Sequence, residues 1–176
     1  MTSPRILSPS RLAPLPPPKT IPENYVKTYK SLPIVRIRRG AEHELDVFEQ
    51  VVDINLTGTM RCCAAARTLL ARQGGCIVNT ASMLSFFGGG IVPGYSASKG
   101  GVAQLTKSLA IAYAPQNIRV NAIAPGWIDT LLTKALQADE ARNRAILERT
   151  PMKRWGTPGD IAGAAVFLCT DAAAFV

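Results

Sequence analysis

From residue 44 onward the apolar positions switch between two rhythms. In ELDVFEQVVDINLTGTMRCCAAARTLLARQ (44–73), Phe48, Val52, Leu56, Met60, Cys63 and Leu70 recur near helical spacing. This predicts one long amphipathic helix, stopped by Gly74-Gly75. CIVNTA (76–81) is a short β-branched run that reads as a buried strand. A glycine-rich loop, SMLSFFGGGIVPG, follows. YSASKGGVAQLTKSLAIAYA (95–114) has the pattern of a second helix, and NIRVNAIAPG (117–126) that of a strand ending at a Pro-Gly break. Residues 130–149 read as two short helices forming a lid. Thr157-Pro158 caps a final helix with proline in its first turn. Helix and strand alternate, so the pattern predicts an α/β fold around a parallel sheet.

The first 33 residues obey neither rhythm. They hold eight of the thirteen prolines. Proline fixes φ and donates no backbone hydrogen bond, so 1–33 is expected to be an extended or disordered leader, with a folded domain over 34–176. PLPPP could serve as a polyproline ligand, but an unstructured leader is the preferred reading.

Charge follows the same boundary. The net charge of +8 at pH 7 suggests a nucleic-acid binder, until it is mapped along the chain. Residues 1–40 hold eight basic residues and one acid, whereas 41–176 hold twelve and eleven. The folded part is nearly neutral, so no nucleic-acid partner is expected. No apolar run is long enough for a membrane span or a signal-peptide core, and the expected location is the cytoplasm. Cys62, Cys63, Cys76 and Cys169 form no CxxC pair and read as buried free thiols. The lone histidine, His43, lies among charges in GAEHELD and reads as part of a solvated helix start. No metal site is expected, since zinc's commonest ligand is scarce.

The candidate chemistry sits in YSASK. Tyr95 and Lys99 stand at i and i+4, so one helix face carries both. An ammonium near a phenol favours the phenolate, which makes the pair a plausible general acid/base. Taken alone, the pair could equally be a surface contact. Ser82, thirteen residues earlier at a strand end, could donate to a substrate oxygen. Asn55, twenty-seven residues before Ser82, lies on or near the apolar stripe of its helix. A buried amide there requires hydrogen-bond partners.

With these spacings, and with the phrases VVDINLTGT, GGCIVNTAS, GYSASKGGV and NIRVNAIAPG, the chain from about residue 34 to 176 resembles the short-chain dehydrogenases/reductases. The resemblance implies a nicotinamide-dependent oxidoreductase acting on a secondary alcohol or ketone, with NAD or NADP as cofactor. It implies a catalytic set of Asn55, Ser82, Tyr95 and Lys99. Tyr95 would exchange the proton at the carbinol oxygen. Lys99 would tune Tyr95 and hold the nicotinamide ribose. Ser82 would orient the carbonyl, and Asn55 would kink its helix and anchor a relay water. Pro125, Gly126, Ile128 and Thr130, with Tyr95 and Lys99, would line the cofactor. Residues 130–149 would cover the substrate. ASMLSFFGGGIVPGYSASK, NAIAPGWIDT and ADEARNRAILERTPMKRWG look like the branch of 2-dehydro-3-deoxy-gluconate 5-dehydrogenases. Gluconate 5-dehydrogenases are its neighbours, so the implied small-molecule substrate is a sugar acid. A 3-oxoacyl-carrier-protein reductase is the alternative within the family.

The chain also departs from the family pattern. The family's TGxxxGxG turn cradles the pyrophosphate at a helix N-terminus, yet no glycine precedes Gly40. The family's Asp-Gly-Gly ending after a last strand is also missing. The expected architecture is therefore a partial Rossmann fold, a parallel sheet flanked by helices without the N-terminal dinucleotide-binding half and the last strand. Two readings follow from this. The chain is a truncated oxidoreductase, or it is a catalytically inactive relative that associates with full-length subunits. In the resembled family, helices corresponding to 44–73 and 95–114 commonly form the homo-oligomer interface.

Overall fold

The computed structural model describes residues 40–176. The proline-rich leader and the SLPIVRIRR stretch lie outside the described residues. Two parallel strands, β1 (Gly75–Thr80) and β2 (Ile118–Ile123), form the sheet. They pair in register from Gly75 opposite Ile118 to Thr80 opposite Ile123. The register begins where two left-handed residues meet. Gly74 has φ 77° and Asn117 has φ 57°, and the Gly75 N–H donates to the Asn117 carbonyl at 3.0 Å. A Cβ on Gly74 would lie 2.6 Å from Asn117 Nδ2, so this turn demands glycine on both steric and conformational grounds.

The predicted helix 44–73 is present, but it is not one α-helix. Its parts are α1 (Leu45–Val52), a π turn (Asp53–Thr57) and α2 (Gly58–Leu70). The Gly58 N–H bonds back to Asp53 O, five residues earlier. The Thr59 hydroxyl donates to Asn55 O at 2.7 Å. A π turn inserts one residue and rotates everything after it by about 100°. Met60, which the apolar repeat placed inward, is 39% exposed, whereas Cys63 and Leu70 beyond it reach the core. Asn55 is half-buried rather than buried.

The second long helix, α3 (Pro93–Tyr113), starts with proline in its first turn. Gly94, Ser98, Val102, Thr106, Leu109 and Tyr113 form its buried stripe, at spacings of three and four. Its buried hydroxyls return to the helix backbone, Ser98 Oγ to Tyr95 O and Thr106 Oγ1 to Val102 O, both at 2.8 Å. The π turn packs on α3 where Gly101 leaves room. A Cβ there would meet Leu56 Cδ2 at 2.7 Å.

Cys63, Leu109, Tyr113, Ile118 and Val120 form the core, with Leu70, Ile77, Leu105 and Ala110 against it. Burying a side chain the size of Ile118 stabilises by about 1.5–3 kcal/mol. Alternation along the strands places Ile77, Asn79, Ile118 and Val120 toward α2 and α3. Cys76, Arg119 and Asn121 lie on the other face, where Asn121 Nδ2 donates to Val176 O at 2.9 Å. Polar Asn79 is accommodated in the core because its Nδ2 donates to Thr106 Oγ1 at 3.0 Å, and its Oδ1 lies 3.5 Å from Cys63 Sγ. Of the four thiols read as buried, only Cys63 is buried. Cys76 is intermediate, and Cys62 and Cys169 are exposed.

Past the sheet come α4 (Lys134–Ala138), α5 (Glu140–Arg149) and α6 (Pro158–Cys169). Thr157 and Asp160 form a reciprocal capping box at the start of α6. Among the described residues, no helix is long and apolar enough to cross a membrane.

Candidate active site

The end of β1 and the start of α3 are tied together by three hydrogen bonds that pass through Ser85 and Lys99. Ser82 leaves β1 in extended conformation and caps the short 3-10 turn Met83–Ser85. Its Oγ accepts the Leu84 N–H at 3.2 Å, and its own N–H donates to Ser85 Oγ at 3.2 Å. The Ser85 hydroxyl then donates to the Lys99 carbonyl at 2.7 Å. Lys99 returns the connection, with Nζ donating to Thr80 O at 2.7 Å. Ser82 is 8% exposed. Its hydroxyl accepts one bond and keeps its proton for another acceptor.

Tyr95 and Lys99 are one turn apart, with Lys99 Nζ 5.7 Å from the Tyr95 ring centroid. Burial pushes the Lys99 ammonium below the ordinary lysine value, because a low-dielectric environment disfavours the charged form. An ammonium carries three donors, and one is engaged by Thr80 O. Two remain for a ligand's hydroxyls.

The Pro-Gly turn after β2 is held beside Ser82. Ala81 N donates to Ile123 O at 2.8 Å and Met83 N to Pro125 O at 3.0 Å. These two bonds carry the strand pairing past the sheet and bracket Ser82. Gly126 follows, with open space where a Cβ would stand. Ile128 pairs with Gly156 in an isolated parallel bridge. Thr133 organises the segment beyond, its Oγ1 donating to Ile128 O at 2.7 Å and accepting from Thr130 N at 3.0 Å. Thr130 itself is exposed. The structure thus brings Ser82, Lys99 and Pro125 into one bonded neighbourhood, with Tyr95 beside Lys99. Asn55 enters through its element, the π turn against α3.

One participant escaped the sequence pattern. Glu42, in a stretch read as a solvated helix start, is 5% exposed, and its Oε2 accepts the Tyr95 N–H at 2.7 Å. The two residues lie 53 positions apart, so no local period could reveal the pairing.

The family model described as enoyl-(acyl carrier protein) reductase matches residues 33–176. A 2-dehydro-3-deoxy-D-gluconate 5-dehydrogenase of Pseudoalteromonas atlantica is 48% identical over 138 residues, covering 78% of this chain and 54% of that protein. A crystal structure from Agrobacterium tumefaciens with bound NADP shares 53% identity at a TM-score of 0.74, over 80% of this chain and 58% of its own. A gluconate 5-dehydrogenase from Burkholderia cenocepacia, in complex with NADP and tartrate, shares 36% identity at a TM-score of 0.72, over 76% and 52%. The chain belongs to the short-chain dehydrogenase/reductase family. It spans about half the length of the curated relatives it matches.

Proposed function

We propose that the chain carries the catalytic residues of an NAD(P)-dependent oxidoreductase that interconverts a secondary alcohol and a ketone on a sugar acid. The observation that carries this reading is the bonded circuit Ser82–Ser85–Lys99–Thr80 with Tyr95 at its edge. The relatives named for gluconate chemistry support the substrate class.

The nicotinamide end of the cofactor fits the residues present. Lys99 has two donors for the ribose, and the Pro125–Thr130 segment adjoins Ser82 with an open position at Gly126. For the pyrophosphate end, no TGxxxGxG turn lies among the described residues. When bound, NAD or NADP supplies or accepts the hydride. The chain's own residues do the rest. The Ser82 hydroxyl donates a hydrogen bond to the substrate carbonyl oxygen, keeps its proton and fixes the direction of that oxygen. Tyr95 gives its phenolic proton to that oxygen during reduction and takes it back during oxidation. Lys99, with Nζ 5.7 Å from the Tyr95 ring centroid, would hold the nicotinamide ribose beside the phenol. Asn55, in its π turn against α3, would anchor a water that returns the proton to solvent. Residues 130–149 would close over the substrate.

A structural feature also supports self-association through the two long helices. Leu69 on α2 is 65% exposed and Ile111 on α3 is 79% exposed. Pairing of these helices with a second copy would cover both side chains.

The test is titration of the 176-residue chain with NADH and NADPH, followed by nicotinamide fluorescence and thermal melting, then turnover of keto-sugar acids. Saturable binding with turnover supports the reading. A folded chain that binds neither nucleotide overturns it and favours the association role.

A further inference from the structure

A 21-residue helix opens at Pro93, and the first four N–H groups of any α-helix have no acceptor within it. Proline removes one of them, and Val92 at the N-cap contributes no side-chain bond. The Tyr95 N–H would therefore lack a partner at the position that presents the proposed acid/base. Glu42 supplies one from outside the helix, with Oε2 2.7 Å from Tyr95 N. The carboxylate sits close over the helix entry. A Cβ on Gly94 would lie 3.3 Å from Glu42 Oε2 and 3.3 Å from Phe48 Cδ2.

The neighbouring residue of the same short turn, Ala41–His43, acts on the other side of that entry. His43 Nε2 lies 3.1 Å from the Gly90 carbonyl oxygen, a distance at which the Nε2–H tautomer donates. The turn therefore grips the loop before α3 at Gly90 and the helix itself at Tyr95. A carboxylate on a helix N-terminus makes a charge-assisted bond and meets the positive end of the helix dipole.

We propose that Glu42 is a positioning residue for Tyr95. It fixes the backbone that carries the phenol, and it touches no reacting atom. This rests on the functional reading above. Proximity effects are steep, and a misplacement of about 1 Å costs on the order of 100-fold in rate.

The experiment compares E42A, E42Q and E42D with T106V, a variant that loosens the core away from this contact. Glutamine keeps an oxygen at the same reach, while aspartate keeps the charge and draws it back. E42A and E42D should lower kcat by about 10-fold or more with KM for the nucleotide within about 2-fold, and E42Q should recover most of the loss. Amide hydrogen exchange at Tyr95 should quicken in E42A and E42D and return toward wild type in E42Q. T106V should melt earlier with neither change.

Wild-type kcat in E42A, or a kcat loss in T106V that matches E42A at equal loss of melting temperature, would overturn the proposal. If E42A does not fold, E42D against E42Q decides it in the same way. If the wild-type chain turns over no substrate, the functional reading fails separately. Tyr95 amide exchange and its ring carbon shift then decide the positioning claim, and unchanged values in E42A and E42D overturn it.

Discussion

The two segments proposed to flank the substrate are fastened in different ways. The stretch from Ser82 to Lys99 is tied to the sheet through backbone groups. Met83 N reaches Pro125 O, Lys99 Nζ reaches Thr80 O, and Ser85 Oγ reaches Lys99 O. The stretch from Thr130 to Trp155 is held largely by side chains near the surface. Gln137 Nε2 donates to Asp129 Oδ1 at 3.0 Å and Trp155 Nε1 to Asn143 Oδ1 at 2.7 Å, and Arg149 lies 5.2 Å over the Trp127 ring. Groups that must meet reacting atoms gain from a rigid scaffold. A cover must open, and segments with few buried contacts open at low free-energy cost. The contrast teaches that chemistry and substrate selection should respond to different mutations.

The sharpest test falls on the rigid segment. Tyr95→Phe keeps the ring and removes the proton. Steady-state kinetics should show kcat reduced by about 10²–10⁴ with nucleotide binding retained. A variant within 3-fold of wild type would remove Tyr95 from the chemistry.

The scaffold behind that segment should show the next largest effect. Thr106→Val leaves the Asn79 amide without its acceptor in the core. A buried donor left unpaired costs about 1–3 kcal/mol, measured as a lower urea midpoint at unchanged slope. Double replacement with Asn79→Leu should recover part of the loss, since removing both polar partners removes the unpaired donor.

The cover should give a smaller effect of a different kind. Trp155→Phe removes the bond to Asn143 and keeps an aromatic ring near Trp127, whose centroid lies 5.8 Å from that of Trp155. A bond of about 1 kcal/mol corresponds to roughly a 5-fold rise in KM for the sugar acid, with kcat held within 2-fold. A fall in kcat as large as that of Tyr95→Phe would erase the distinction between the two segments.

The same contrast governs how much could be read from sequence. β1, β2, α3 and the capped α6 were legible because strand composition, helical pattern and a Thr-Pro cap act locally, although α3 starts at Pro93, two residues before its predicted start. Ser82, Tyr95 and Lys99 stood out through spacing, and the fold brings their elements together. The π turn at Asp53–Thr57 was not legible as such. One inserted residue leaves the apolar period nearly intact, and Cys63 and Leu70 beyond the turn still reach the core. Glu42 was invisible for a different reason. Its charge among Glu44 and Asp46 suggests solvent, and only the arrival of α3 supplies the N–H that makes its burial tolerable. Long-range capping leaves no periodic trace.

The smallest expected effect lies where the cover meets α6, and it depends on pH. Arg154 donates to both oxygens of Asp160 at 2.9 and 3.0 Å, and Asp160 also accepts from Thr157 N at 2.7 Å. Hydrogen bonds from Arg154 and then from Thr157 hold the Asp160 carboxyl well below the usual aspartate value. A carboxyl with a depressed folded value stabilises the fold fully above the unfolded value of about 3.9, and the stabilisation drains away as pH falls below it. Both side chains are more than a third exposed, so salt should weaken the effect. Arg154→Gln should therefore lower the melting temperature slightly at pH 7, and the gap from wild type should narrow as pH drops from 4 toward 2. A gap that stays constant across that range would mean the pair acts through packing alone. A gap that vanishes at pH 7 in 1 M salt would show that this corner is held by screened charge, unlike the buried Asn79–Thr106 contact, which salt should leave unchanged.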